Sequence, residues 1–129
     1  MYNEKVISIF QHPKYVGEIR SCSGIGKVES EQGDVVKVFL KIEDNIIVQA
    51  KAKTFGCVAA IACVDVAMGL VSGKSIEQAL EITEHDITEK TGSLPASKKY
   101  CVILSQEAVA DAVKDYRKRQ LRAAAKTEK

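Results

Sequence analysis

Four cysteines, Cys22, Cys57, Cys63 and Cys101, are the side chains best suited to chemistry in this sequence. No two of them form a C-x-x-C pair, so the zinc-ribbon and thioredoxin patterns are absent. Cys57 is the most informative. It follows Thr54-Phe55-Gly56, where a strand-like run gives way to a helix-like apolar run. Gly56 permits a close backbone turn. The free amides of a helix N-terminus favour a thiolate by about 0.3–1 kcal/mol. A thiolate binds metal and attacks sulfur donors; the plainer alternative is a small packed thiol.

Cys101 comes just after the Leu94-Pro95 loop, with Lys98 and Lys99 nearby as cations able to stabilise a thiolate; a packed thiol is again the alternative. Asp34, after Gly33, offers a carboxylate to iron or zinc, against the simpler reading of a solvated turn aspartate. Cys63 lies on the same expected helix as Cys57 but points about 120° away from it, which makes it core. Cys22 precedes Gly24, and its direction is not fixed by the sequence. His12 and His85 stand singly in loop contexts and read as structural or exposed. Gly24-Ile25-Gly26 is not followed by a helix, so it does not make a phosphate-binding loop.

These residues must be positioned by the elements around them. Residues 3–11 have helical apolar spacing, and His12-Pro13 ends that helix. Glycines punctuate the chain up to a first strand over residues 21–30. Residues 34–54 alternate with period two and form a β-hairpin. Val36, Val38, Leu40 and Ile42 share one face of its first strand; Ile46, Val48, Ala50 and Ala52 share one face of its second. Asp44-Asn45 supplies the tight turn, because both residues tolerate positive φ.

Residues 57–71 are almost wholly apolar, with Asp65 the only charge, and predict a buried helix ended by Gly73. Ser75 with Gln78 makes a capping box, and Thr83 with Asp86 marks a further helix start. Gly92 and Pro95 break the chain again. The last helix starts at Cys101 or Ser105, carries Leu104, Ala108, Val109, Ala112, Val113 and Tyr116 on one face, and has a basic end over Arg117–Arg122. Strands first and helices after imply an α+β fold. A single domain is expected over residues 1–122, with 123–129 as a basic, disordered tail.

Composition narrows the function classes. The chain has 129 residues, 46% of them apolar and 28% charged, with a net charge of +2. Near-balanced charge argues against nucleic-acid binding. No run of about 18 apolar residues predicts a membrane span. No targeting segment is visible at the start, so the expected compartment is the cytoplasm, where thiols stay reduced. No nucleophile–base–orienter set suggests enzyme catalysis.

Several segments together resemble the IscU/NifU N-terminal scaffold family. His12-Pro13-Lys14-Tyr15-Val16-Gly17 is similar to the family's Asn-Pro-Arg-Asn-Val-Gly, and Gly33-Asp34-Val35-Val36-Lys37-Val38 to its Cys-Gly-Asp strand. Lys53-Thr54-Phe55-Gly56-Cys57-Val58-Ala59-Ala60-Ile61-Ala62 is very close to its Lys-Thr-Phe-Gly-Cys-x-x-Ala-Ile-Ala. Gly73-Lys74-Ser75-Ile76-Glu77-Gln78-Ala79, Leu94-Pro95 and Cys101 complete a resemblance that spans residues 2 to about 118.

The resemblance implies a three-stranded antiparallel sheet packed against about five helices. It implies a protein that accepts sulfur from a cysteine desulfurase, assembles a [2Fe–2S] cluster and passes it to acceptor apoproteins, with a chaperone as a further partner and room for a homo-oligomer. Carried over by position, Cys57, Cys101 and Asp34 are the ligands for a cluster, iron or zinc, with Cys22 as an extra candidate. Cys101 matches the sulfur acceptor, and Lys98 the basic residue of the family's partner-binding Pro-Pro-Val-Lys stretch.

Two positions depart from the family: Gln32 stands where it has its first cysteine, and Tyr100 where it has a histidine. Ala96-Ser97 replaces the Pro-Val of that stretch. An iron–sulfur cluster usually takes four ligands, mostly thiolates. The departures therefore leave two other readings beside the scaffold, a non-catalytic adaptor and a carrier of persulfide sulfur on Cys101.

Overall fold

A computed structural model of the chain describes residues 2–127. Helix α1 (Glu4–Gln11) is capped by Asn3, whose Oδ1 accepts from the Val6 amide at 2.9 Å. Strands β1 (Gly24–Glu29), β2 (Val35–Glu43) and β3 (Ile46–Phe55) form one antiparallel sheet in the order β1-β2-β3. Helices α2 (Val58–Val71), α3 (Ile76–Leu80), α4 (Glu84–Thr91) and α5 (Tyr100–Thr127) follow, with a 3₁₀ turn at Ala96–Lys98 before α5. The expected α+β architecture is the one observed.

The hairpin turn is as expected: Asp44 and Asn45 take φ of 50° and 66°, the two positive values a two-residue turn of this hand requires. The predicted Ser75–Gln78 capping box forms, and the helix start marked by Thr83 and Asp86 proves to be a second one. Gly73 sits just beyond α2 at φ +84°.

The face assigned to β3 is half wrong, and a bulge explains it. Ile42 pairs with Ile47, but Lys41 pairs with Gln49, so Val48 is an extra residue on β3. One extra residue reverses the inward and outward phase of everything on its far side. Ile47, Ala50 and Ala52 therefore point inward, while Ile46 and Val48 are exposed. On β2 the alternation holds for Val36, Val38, Leu40 and Ile42, and Phe39 is buried as well.

The sheet packs one face against α2 and α5. Val36, Val38 and Leu40 meet Val64, Met68 and Val71 of α2 and Ala108, Val109 and Val113 of α5. Asp65, the single charge of α2, explains itself here: its carboxylate accepts from the amides of Lys14 at 3.0 Å and Tyr15 at 2.8 Å, tying the loop after α1 to α2. That loop then runs along the outer edge of β3, with Val16 bridging to Ala52.

Strand β1 lies under α5, and its free amides are capped by that helix. Asp115 accepts from Ile25 at 2.8 Å and Asp111 from Lys27 at 2.9 Å. Gly24 and Gly26 make this close approach feasible, since a Cβ on either would run into the α5 backbone at Ala112. Their role is packing, and the sequence reading against a phosphate loop agrees with it. Helix α5 continues to Thr127, past the expected end at 122. Ala123-Ala124-Ala125 has the highest helix propensity available, which carries the helix on where fraying was expected; residues 128 and 129 of the expected tail lie outside the described residues.

Gly26→Ala is expected to lower stability by about 1–3 kcal/mol, as other overpacked contacts do. The measurement is the urea unfolding midpoint. An unchanged midpoint would mean that β1 and α5 are not in the close register described.

Candidate functional site

Three chain segments meet at Asp34. The β1–β2 loop brings Ser30 and Asp34, the β3–α2 junction brings Gly56 and Cys57, and the first turn of α5 brings Tyr100 and Cys101. Asp34 is only 3% exposed. Its Oδ1 accepts from the Cys57 amide at 3.1 Å. Its Oδ2 accepts from the Tyr100 hydroxyl at 2.5 Å and the Ser30 hydroxyl at 2.7 Å. Ser30 in turn accepts from the Asp34 amide at 3.0 Å. The alternative of a solvated turn aspartate is thus set aside: Asp34 is a buried carboxylate with donors on both oxygens, as a buried charge requires.

Gly56 is part of the same arrangement, because a Cβ there would strike Asp34 Oδ1. Only glycine lets the chain pass the carboxylate this closely and still turn into α2. Cys57 is the N-cap of α2, with extended backbone at φ −77° and ψ 168°, and its thiol makes no capping bond. The thiol is left free to face the cleft. It stands 3.8 Å from Cys101 Sγ and 4.0 Å from the Tyr100 hydroxyl. The two cysteines singled out in the sequence, 44 residues apart, are therefore neighbours.

The electrostatics separate them. Cys57 is partly exposed, whereas Cys101 is 0% exposed. Burial, and then the neighbouring Cys57, push the Cys101 thiol up to about 12. That corrects the expectation that Lys98 and Lys99 would favour a thiolate at Cys101. Lys98 lines the cleft beside Cys57 and Tyr100, and the charge of Cys57, followed by that of Tyr2, holds its ammonium above its ordinary value. Lys99 lines a different cleft, with Glu84 and His85. Of the two lysines, Lys98 alone lines the cleft that Cys57 lines.

For Asp34, burial acts to raise the carboxyl. Hydrogen bonds from Tyr100, Ser30 and Cys57 together outweigh it and hold the acid below its ordinary value of 3.8. The bond to Asp34, followed by burial, raises the Tyr100 phenol far above its own, so it stays protonated and remains a donor.

The other candidates fall elsewhere. Cys63 is core, fully buried, with burial first pushing its thiol up to about 12. Cys22 does not reach the site. The adjacent Ser23 bonds to Leu40 and Ile42, near the far end of β2, roughly 20 Å of strand from Asp34. His12 caps the C-terminus of α1, and His85 is exposed beside Glu89. Gln32 is exposed on the same cleft as Asp34 and Cys57.

Ser30 is the participant missed in the sequence; its only signal is a hydroxyl at the head of the turn that ends in Asp34. Phe55, 77% exposed beside Cys57, was also passed over. Among the described residues, no group of three or more His, Cys, Asp and Glu side chains stands ready to hold a metal ion. The facing donors are the two thiols, because the Asp34 oxygens are occupied by Tyr100, Ser30 and the Cys57 amide.

An antiparallel three-stranded sheet on helices, with two facing thiols at the heads of α2 and α5, defines a thiol-site α+β protein. The model of the NifU-like N terminal domain matches residues 1–123, and the chain belongs to that family. It is 41% identical to the iron-sulfur cluster assembly scaffold protein IscU 1 of Archaeoglobus fulgidus over 117 residues, 90% of this chain and 76% of that one. It is 40% identical to the iron-sulfur cluster assembly scaffold protein IscU of Haemophilus influenzae, over 92% of this chain and 98% of that one. The fold matches that of the N-terminal part of a nitrogen-fixing NifU-like protein from Brucella abortus with a TM-score of 0.70 at 17% identity, covering 90% of this chain and 94% of that one.

The sign of the pH dependence follows from Asp34. Its folded acid lies below 3.8, so its stabilisation is complete above the unfolded value and is lost as pH falls through the folded one. Tyr100→Phe removes a donor from this carboxylate. Stability at neutral pH should fall by about 1–3 kcal/mol, and acid unfolding should begin at higher pH than in the wild type. Urea midpoints measured from neutral pH down to acid check both. A variant with the same acid limb as wild type would remove Tyr100 from the control of Asp34.

Proposed function

We propose that this chain is a scaffold-type protein of iron–sulfur cluster assembly. The observation that carries the reading is the thiol pair: Cys57, on the lining of a cleft, faces the buried Cys101 at 3.8 Å. Family membership and relatives named as assembly scaffolds support it. Iron and sulfide, or a [2Fe–2S] cluster, are the cargo, with zinc as a second metal suited to thiolates. The two thiolates supply two ligands. The third and fourth come from solvent, a small thiol or a second subunit, since Gln32 and Tyr100 replace the usual donors. Asp34 becomes a ligand only after giving up its bond to Tyr100.

The partners in this reading are a cysteine desulfurase that delivers sulfur, acceptor apoproteins and a chaperone. Lys98, on the rim beside Cys57, is the cation that meets an incoming donor. Sulfur arrives first at Cys57, because Cys101 has no exposed surface in this conformation; the acceptor role read for Cys101 then needs a second step. The chain acts by holding cargo and carries no catalytic set of its own. No helix among the described residues is long and apolar enough to cross a membrane, and the expected site of action is the cytoplasm.

One observation favours an adaptor instead: the third donor is locked, and no group of three or more His, Cys, Asp and Glu side chains is poised for a metal among the described residues. Anaerobic reconstitution with iron and sulfide separates the readings. The desalted protein should show sulfide-to-iron charge-transfer absorption, lost in Cys57→Ala and in Cys101→Ala. A colourless wild-type protein would overturn the scaffold and leave the adaptor.

A further inference from the structure

Sulfur carried on a persulfide is at the oxidation level of elemental sulfur, whereas the sulfur of a cluster is sulfide. Two electrons must be added to each sulfur atom between delivery and assembly. The site holds two thiols placed to supply them. We propose that Cys57 and Cys101 together reduce the sulfane sulfur of an incoming persulfide to sulfide, closing into a disulfide as they do so. The inference rests on the assembly reading for the use of the sulfide, but its chemistry is a property of the thiol pair.

The geometry has three parts. The first is distance: the sulfurs stand at 3.8 Å, in contact and unbonded, against about 2.05 Å in a disulfide. The second is access. Cys57 is partly exposed at the N-cap of α2, whereas Cys101 lies behind it with no exposed surface. Of this pair, a donor too large to enter the fold meets Cys57 and not Cys101. The third is the occupation of the neighbouring acceptor. Both Asp34 oxygens receive hydrogen bonds, from Tyr100 and Ser30 on one and the Cys57 amide on the other. Gln32 brings no third thiol to the cleft. The nearest reactive partner of Cys57 is therefore Cys101.

Two exchanges follow, each an attack of a cysteine sulfur on a sulfur of an S–S bond; Cys101, a thiol at rest, gives its proton to the departing sulfur as it attacks. In the first, Cys57 attacks the outer sulfur of the donor persulfide. The donor S–S bond breaks, the donor leaves as its thiol, and Cys57 carries the extra sulfur. In the second, Cys101 attacks Cys57 Sγ. The bond from Cys57 Sγ to the extra sulfur breaks, and that sulfur leaves with the bonding pair as hydrosulfide. Its protons come from the two protein thiols and the donor. One persulfide and two cysteine thiols give one donor thiol, one hydrogen sulfide and one Cys57–Cys101 disulfide. The sulfane sulfur is reduced by two electrons and the cysteines are oxidised by two. An external dithiol such as dithiothreitol returns the pair to its starting state.

The test uses the full reduced chain under anaerobic conditions, without iron, with glutathione persulfide as donor. Intact mass and released sulfide are read together. The wild type should release about one sulfide per chain and lose two hydrogens in mass, and dithiothreitol should restore the mass. Cys101→Ser should retain one added sulfur and release at least about tenfold less sulfide. Cys57→Ser should release no sulfide and carry no added sulfur at Cys101, with any sulfur on the remote, partly exposed Cys22 told apart by peptide mass mapping.

A wild-type chain that keeps the added sulfur, or that emerges unmodified, would overturn the proposal whatever the variants do. Reconstitution with inorganic sulfide bypasses this step. Loss of sulfide release with an intact charge-transfer spectrum would therefore reject the thiol-pair reduction alone, and the converse would reject the scaffold alone.

Discussion

A buried carboxylate, Asp34, is the constraint on which the site depends. A charge removed from water is costly unless donors surround it. The donors here come from three segments that share no local structure: the Ser30 hydroxyl before β2, the Cys57 amide at the head of α2, and the Tyr100 hydroxyl at the head of α5. Satisfying one side chain thus fixes the relative positions of three chain segments. Cys57 and Cys101 are each either a donor to Asp34 or the neighbour of one. Their 3.8 Å separation is a consequence of that convergence and needs no bond of its own. Gly56 follows from the same constraint, since any side chain there would push the carboxylate away from the Cys57 amide.

The two departures from the family act on different parts of the cleft. Gln32 lies on the exposed loop and leaves the rim without a thiol. Tyr100 lies on the inner wall and does more. An imidazole at that position offers a lone pair to a metal, whereas a neutral phenol offers a proton to Asp34. Hydrogen bonds to a charged group contribute about 1.5–3 kcal/mol each. Tyrosine at this position therefore strengthens the fold around Asp34 and withdraws the carboxylate from ligation. In the scaffold reading, tyrosine here withholds both its own side chain and the Asp34 carboxylate from a metal and leaves the thiols as the facing donors.

Much of this was legible in the sequence where the signal is local. The Asp44-Asn45 turn, the Ser75–Gln78 capping box, the helix start at Thr83 and the α2 run each depend on residues within a few positions of one another, and all form as read. The Thr54-Phe55-Gly56-Cys57 junction was legible because a strand pattern stops and a helix pattern starts at that point. The features that were missed depend on distant partners. The Val48 bulge breaks a period-two pattern without any glycine or proline to mark it. The burial of Cys101, left as one of two readings by the sequence, is decided by the second core cluster, to which α1, α2 and α4 contribute. Lys98 and Lys99 are adjacent in sequence, yet they line different clefts. Cys22 is nearer Asp34 in sequence than Cys57 is, but β1 runs antiparallel to β2 and places it at the opposite end of the sheet.

The asymmetry between the two thiols follows from where each sits on its helix. Cys57 occupies an N-cap, a position outside the hydrogen-bonded helix, where the side chain is free to face solvent. Cys101 lies one residue into α5, on the face that closes over Val6, Ala59, Cys63 and Ile87. The helix that exposes one thiol and the helix that buries the other are held together by Asp34, so access is graded without any moving lid. An external sulfur donor encounters Cys57, and Cys101 is reached only from Cys57. On the proposed route, order in sulfur handling is then a property of packing: the exposed thiol receives, and the buried thiol acts on what has been received.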